Sequence, residues 1–360
     1  MRSQAPQRRV RDNRSRRTRT RVGVAAVVVV ALGLAALVLG GQSDDKAGPR
    51  PPEGHTAYRA FESGSWWNTP LGPHAPLDPQ GTQILRYLHS GPESGRGCLM
   101  LAGAGGSHWG TPIYWAEPGD PSYDVTGVTG ARPPELAQLR IPKRAAPAAN
   151  NDGSMSIYDL QKGYVVALTG ASYDRSTDTW TASGATVTYL RSNGLHVATG
   201  ESDDPRNRGT HRGNNGATMA VAWREVLSGH IQHVLKVASG PEVANRFVFP
   251  MVGSDGDYRG NDPAVPPQGL RLRIRPDVDL RSLSLNPEAL VIARALQRYG
   301  FYIGDSGGRT SLKLENTKAE GLGQKWRVPA DALCGLPFTP RYWDVIAEGY
   351  DPSATGRGAP

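Results

Sequence analysis

Residues 22–41 read VGVAAVVVVALGLAALVLGG, twenty positions without a charge. That is the length a helix needs to cross the hydrocarbon core of a bilayer. It follows an arm, residues 1–21, that holds nine arginines and a single acid, Asp12. A cationic arm beside an apolar run predicts a membrane segment with residues 1–21 on the cytoplasmic side and the rest of the chain outside. Leu39 is a poor residue three positions before a cut after Gly41, so the segment reads as a retained signal-anchor in a single-pass protein. Secretion after cleavage is the alternative.

The arm also accounts for the net charge of +8. Removing its nine arginines and Asp12 from totals of 41 basic and 33 acidic residues leaves 32 of each. The exported part is formally neutral, so the basic balance does not point to a nucleic-acid partner.

Residues 42–56 are polar and rich in proline and glycine, as a linker is, and residues 351–360 form a similar tail. Residues 57–350 lie between them as one extracytoplasmic domain. The chain has 44 glycines and 29 prolines, about a fifth of its length, which suits many short strands and turns. SMSIYDL and YVVALTG flank a polar turn, a hairpin signal. GLRLRIRP alternates, with Leu270, Leu272 and Ile274 on one face and Arg271, Arg273 and Arg275 on the other. HIQHVLKVA alternates as well and sets His233 between Ile231 and Leu235, with Lys236 on the opposite face. FYIGD is a further strand, ending in SGG.

Two segments read as helices. In NPEALVIARALQRYG, Asn286 serves as N-cap, Pro287 as first helical residue and Gly300 as terminator. A second helix covers residues 81–88. Residues 127–153 read as a long surface connection. The fold class is therefore mostly β, a β-sandwich or jelly-roll-like single domain with one or two helices, preceded by the N-terminal transmembrane segment. Cys98 and Cys334 would lie in an oxidising compartment, where pairing is allowed but not demanded.

The pieces SWWNTPL, DGSMSIYDL, SNGL, HVLKVA, PPQGLRLRI and ALQRYGFYIGDSGG follow in this order over residues 60–346. The pattern resembles that of a family of exported proteins from actinomycetes and other bacteria, a family without an assigned function. The resemblance implies an exported domain and carries no catalytic mechanism.

Several groupings are able to carry chemistry. The stretch 201–216 collects Glu201, Asp203, Asp204, Arg206, Arg208, His211 and Arg212 among glycines. Asp203 and Asp204 are adjacent and point apart on an extended chain, so they are not a catalytic pair by themselves. Arg206, Arg208 and Arg212 would hold an anionic group, or neutralise those acids. His233 is a candidate acid/base group, and equally a core histidine with a bonded ring. Asp305 ends an apolar strand before small residues, which exposes a carboxylate or forms a turn. Asp255, Asp257 and Gly260 occupy calcium-loop positions one, three and six, but Pro266 stands where a bidentate glutamate is required. No cofactor or metal is expected, with a loose calcium site at Asp255, Asp257 and Asp262 as the residual alternative.

Eight tryptophans are many for a chain with 7% aromatic residues, and Trp67, Trp109 and Trp115 adjoin polar loops. Indole faces beside donors and acceptors suit stacking on sugar rings. There is no GxSxG elbow, HExxH, Walker loop or dinucleotide fingerprint. These observations converge on a carbohydrate-active protein acting on cell-wall or environmental polysaccharide, as a glycoside hydrolase or a polysaccharide lyase. Its catalytic candidates are His233, Asp305, Asp152 and Asp204. Its substrate-binding candidates are Trp67, Trp109, Trp115, Arg206, His211 and Arg212. A non-catalytic glycan-binding or structural cell-envelope protein is the alternative.

Overall fold

The computed structural model describes residues 58–241 and 243–352. The arm, the apolar segment 22–41 and the linker lie outside the described residues, as does most of the tail. No helix among the described residues is long and apolar enough to cross a membrane.

The described part is mostly β, with three α-helices. One sheet has six strands in the spatial order Met100–Ala102, Ser311–Lys313, Leu235–Ser239, Phe301–Ser306, Arg271–Ile274, Trp343–Val345. The other has five, in the order Arg208–Gly209, Gly184–Tyr189, Tyr164–Thr169, Met155–Asp159, Ile113–Trp115. Most pairings are antiparallel, and the hairpin between residues 155–159 and 164–169 forms as its sequence predicts. Three pairings within these two sheets are parallel: Met100–Ala102 with Ser311–Lys313, Leu235–Ser239 with Phe301–Ser306, and Ile113–Trp115 with Met155–Asp159. Parallel neighbours need long crossovers, which local turn signals do not reveal.

One face of the six-stranded sheet is apolar. Leu235, Val237, Leu272, Ile274, Phe301 and Ile303 pack there in one cluster with helices α1 (Gly81–Ser90) and α3 (Pro287–Arg298). Helix α3 starts as its sequence indicates, since the Asn286 side chain accepts from the Ala289 N–H at 2.7 Å. Ile292 and Leu296 are fully buried on its inner side, each worth about 1.5–3 kcal/mol. The opposite face of strand Arg271–Ile274 is buried too. Arg271 donates to the Tyr299 carbonyl at 2.8 Å, and Arg273 donates to the Gly72 carbonyl at 2.7 Å and to Asp344 at 3.0 Å.

The outer face of the five-stranded sheet buries Tyr114, Ile157, Val166, Leu168 and Val187. Residues 127–153 contribute to that core rather than forming a simple surface connection. Leu136, Leu139 and Ile141 pack onto the sheet, and buried Arg140 pairs with buried Asp159. Residues of both sheets share a further cluster, which includes Ile113, Tyr158, Val165 and Tyr302. Beyond those apolar side chains the same face of the five-stranded sheet turns polar, with buried Ser156, Thr186 and Thr188. A disulfide joins Cys98 to Cys334, with the Cα atoms 5.0 Å apart.

Candidate functional site

The polar region opens into a cleft lined by Thr111, Asp152, Ser156, His211, Gly216, Lys236, Asp305 and Lys313 among others. Three local features place its charged side chains.

The first is strand register. Leu235 and Val237 point into the helix-side core, so alternation turns Lys236 toward the cleft. The antiparallel pairing of Val237 with Leu312 sets Lys313 on the same face of the neighbouring strand.

The second is a bulge. Lys236 is opposite Tyr302 and Val237 opposite Ile303, but Ala238 is opposite Asp305. Gly304 is the extra residue. Strict alternation would turn Asp305 toward the apolar core, and the bulge turns it to the cleft instead.

The third is the course of residues 208–216. Arg208–Gly209 pairs with the edge strand Gly184–Tyr189. Gly209 has φ of 145°, and a Cβ there would stand 2.3 Å from the Ala185 carbonyl oxygen. The chain then enters the cleft, with the His211 N–H donating to Thr186 Oγ1 at 3.1 Å. Arg212 follows with φ of 37°, in the left-handed region that a non-glycine residue rarely adopts.

These features assemble one charged cluster. Lys236 Nζ lies 3.1 Å from Asp305 Oδ2 and 2.5 Å from His211 Nε2. Arg212 Nη2 pairs with Asp305 Oδ1 and with Asp255 Oδ2, the latter at 3.2 Å. Burial pushes the Lys236 ammonium down to about 8, against the opposing pull of Asp305. Burial and the charge of Lys236 hold His211 well below its ordinary value, so its ring is neutral. Nε2 is then the acceptor and Lys236 the donor. Burial alone would raise the Asp305 carboxyl, but the neighbouring cations, Lys236 foremost, outweigh it and keep the acid ionised. Ser156 Oγ, Arg212 Nε and Asn214 Oδ1 are buried and have no hydrogen-bond partner among the described residues. At the rim, Trp109 is 46% exposed, and Lys313 Nζ stands 5.8 Å from its ring centroid.

A second, smaller hollow lies by Tyr58, Trp115, Tyr158, Glu225, His233 and Glu315. Its polar groups are engaged with one another. His233 Nε2 is 3.1 Å from Glu225 Oε1, and Nδ1 meets the Val234 carbonyl at 2.8 Å. Burial opposes the imidazolium, but Glu225 outweighs it and raises the His233 pKa. Glu315 accepts from the Trp223 N–H at 2.6 Å, and Glu320 accepts from the Ile113 N–H at 2.7 Å. The two carboxyls also bond to each other, and burial raises both pKa values. This group ties together the start of helix α2 (Trp223–Ser228), the strand at Ile113 and the loop after residue 315.

Among the residues singled out by sequence, the structure brings His211, Arg212 and Asp305 together, with Asp152 lining the same cleft and Trp109 at its rim. It places His233 elsewhere, just before its strand and against Glu225. Asp204 and Arg206 pair with each other at 2.8 Å, and Arg206 stacks 3.6 Å over the Tyr189 ring. Asp203 accepts from the Asn193 N–H at 2.9 Å. Trp67 is 2% exposed in the core, edge-on to Tyr302. Trp115 stacks on Tyr158 at 4.5 Å, beside the second hollow. Asp255 is taken up by Arg212 and Gln268, while Asp262 accepts from the Ala264 N–H. No group of three or more metal-ligating side chains occurs among the described residues.

Lys236, Lys313 and Ser156 are the participants that sequence reasoning missed. Lys236 did leave a signal. It is the one charged residue in VLKVA, and a lysine flanked on both sides by apolar residues in a strand is rarely buried without a partner.

No protein-family model, curated protein or solved structure matches the chain.

Proposed function

We propose that the exported domain is a carbohydrate-active enzyme whose reactive centre is the cleft group Lys236, His211 and Asp305. The observation that carries this reading is the ionised Asp305 held between Lys236 and Arg212, on the floor of a cleft whose rim bears exposed Trp109. A depressed lysine and a neutral imidazole are the groups needed for proton transfer near neutral pH. An indole at the rim suits a sugar ring, whose CH face is apolar. Two facing β-sheets with a groove between them suit the sandwich-like architecture that the chain's patterning suggests. The Cys98–Cys334 disulfide supports a location outside the membrane, with residues 22–41 as the anchor.

The test is incubation of the purified domain with neutral and acidic wall polysaccharides, scored by newly formed chain ends. Asp305→Asn is expected to abolish cleavage while leaving the circular dichroism spectrum unchanged. Unchanged cleavage by that variant removes Asp305 from the reaction. Exposed Trp109 beside Lys313 also favours a second reading, a module that binds glycan without turnover. Retention on an immobilised polysaccharide with no new chain ends, lost in Trp109→Ala, would select it.

A further inference from the structure

Resting on that reading, we propose that the cleft takes a uronic-acid polysaccharide and breaks it by β-elimination, with Lys236 as the base, and not by hydrolysis.

The balance of charge in the cleft is the first argument. Lys236 and Lys313 line it from one face of neighbouring strands, and Arg212 adjoins it through Asp305. The inner carboxylate is Asp305, and both of its oxygens are already paired, Oδ1 with Arg212 and Oδ2 with Lys236. With Asp305 engaged in this way, Lys313 is the cation left to receive an anionic sugar, and the other acid of the lining, Asp152, is exposed to solvent. Ser156 Oγ, 1% exposed and without a partner, adds a donor at the same wall.

The second argument is what the cleft lacks among its described residues. Hydrolysis of a glycosidic bond needs a protonated carboxylic acid to deliver a proton to the leaving oxygen, and a second carboxylate to act as base or nucleophile. Asp305 is kept ionised by its cations, so it fails as the acid, and Asp152, the other carboxylate of the lining, is exposed and not set in the apolar pocket that a general acid needs. Its double ion pairing also makes it a poor nucleophile. The acids whose environment favours the proton are Glu315 and Glu320. They bond to each other and accept from the backbone N–H groups of Trp223 and Ile113, outside the lining of this cleft.

Elimination needs a different set, and the cleft has it. A cation pairs with the uronate carboxylate and makes the neighbouring C5–H more acidic. Lys313, at the rim beside Trp109, is placed for that role. The neutral amine of Lys236 removes the C5 proton. The C5–H electron pair becomes the C4=C5 double bond, and the C4–O bond breaks. The departing oxygen takes the proton back from the Lys236 ammonium on the same face of the ring. The amine is regenerated, and no water, oxidant or cofactor is consumed. Asp305 and His211 hold Lys236 in place.

The experiment follows two readouts on the same samples: ultraviolet absorbance of the conjugated unsaturated uronate, and total new reducing ends. The substrates are polymannuronate and a glucuronate-containing polymer, in which C5–H and C4–O share a face, with polygalacturonate, in which they do not, as the contrast, each beside its carboxyl-reduced form. Both readouts should rise together on an acidic polymer and stay flat on its reduced form. Lys236→Met should lose roughly 10²–10⁴-fold in rate, with Lys236→Arg as a second variant that keeps the ion pair to Asp305. Lys313→Ala should raise KM more than it lowers kcat. Reducing ends without the unsaturated product would overturn elimination and leave glycan cleavage standing. Equal cleavage of the reduced polymers, or a full rate in both Lys236 variants, would overturn the assignment of substrate or base. No cleavage of any polysaccharide would overturn both this inference and the reading beneath it.

Discussion

Lys236 Nζ lies 3.1 Å from Asp305 Oδ2, and the two meet because the chain bulges at Gly304 between them in register. A Cβ at Gly304 would stand 3.2 Å from Lys236 Cγ, 3.3 Å from Lys236 Cε and 3.1 Å from Asn214 Nδ2. Gly304→Ala is therefore expected to press on the lysine stem. Overpacking of this kind costs roughly 1–3 kcal/mol. The displacement of Lys236 should lower turnover by more than the fall in stability explains. Chemical denaturation and kcat, measured on the same preparation, check this.

The depressed Lys236 sets a pH profile. If its neutral amine is the base, activity should rise with pH along a limb centred near pH 8. Asp305 holds the charged lysine in place, so removing its charge favours the neutral form further. Asp305→Glu keeps that charge and should retain a limb near the wild-type position. Its residual kcat/KM against pH, beside that of wild type, tests the assignment. A limb unmoved in Lys236→Arg would assign it to another group.

Much of this was legible along the chain, and the remainder was not for a physical reason. Helix α3 was legible because Asn286 and Pro287 are local signals, and the Asn286 side chain accepts from the Ala289 N–H as an N-cap does. Asp305, His211 and Arg212 stood out because charges gathered among glycines are uncommon in a strand-rich chain. Their meeting was not legible, since it depends on a parallel pairing and a bulge that only the folded sheet supplies. Lys236 read as a residue on the polar face because alternation does not say what covers that face. His233 read as a strand residue, yet its partner Glu225 sits in a six-residue helix, too short to show a period.

Asp305 also predicts a stability change in acid. Its folded pKa is depressed, so its contribution is present above the ordinary aspartate value and is lost as pH falls through that range toward the folded value. Side-chain exposure of 21% discounts the strength of its ion pairs. Asp305→Asn should cost on the order of 1–2 kcal/mol at pH 7, below the 3–5 kcal/mol typical of a fully buried pair. The gap between variant and wild type should narrow at about pH 3. Urea denaturation at the two pH values gives the comparison.

The Cys98–Cys334 disulfide closes a loop across 236 positions. Cross-linking a loop of that length restrains the unfolded chain, and loss of a native disulfide typically costs about 2–5 kcal/mol. The double variant Cys98→Ser/Cys334→Ser should unfold at a lower denaturant midpoint. Wild-type protein with added reductant should approach it.

The Glu315–Glu320 pair makes the opposite pH prediction. Burial raises both carboxyls, and for Glu320 the charge of Glu315 adds to it. The folded state therefore binds a proton that the unfolded chain releases at ordinary glutamate values. By linkage, the stabilisation is fully present below about pH 4.5 and declines as pH rises toward the raised folded values. Each unit of pH in that window costs up to about 1.4 kcal/mol per proton. Glu320→Gln keeps an acceptor for the Ile113 N–H and offers Glu315 a permanent donor, with no proton to lose. Its stability should fall less than that of wild type between pH 5 and pH 8. Glu320→Ala leaves that N–H and the Glu315 carboxyl without their partner and should lose roughly 1–3 kcal/mol even at pH 5. Denaturation midpoints of the three proteins at both pH values decide it. Parallel wild-type and Gln curves would show that the pair does not share a proton.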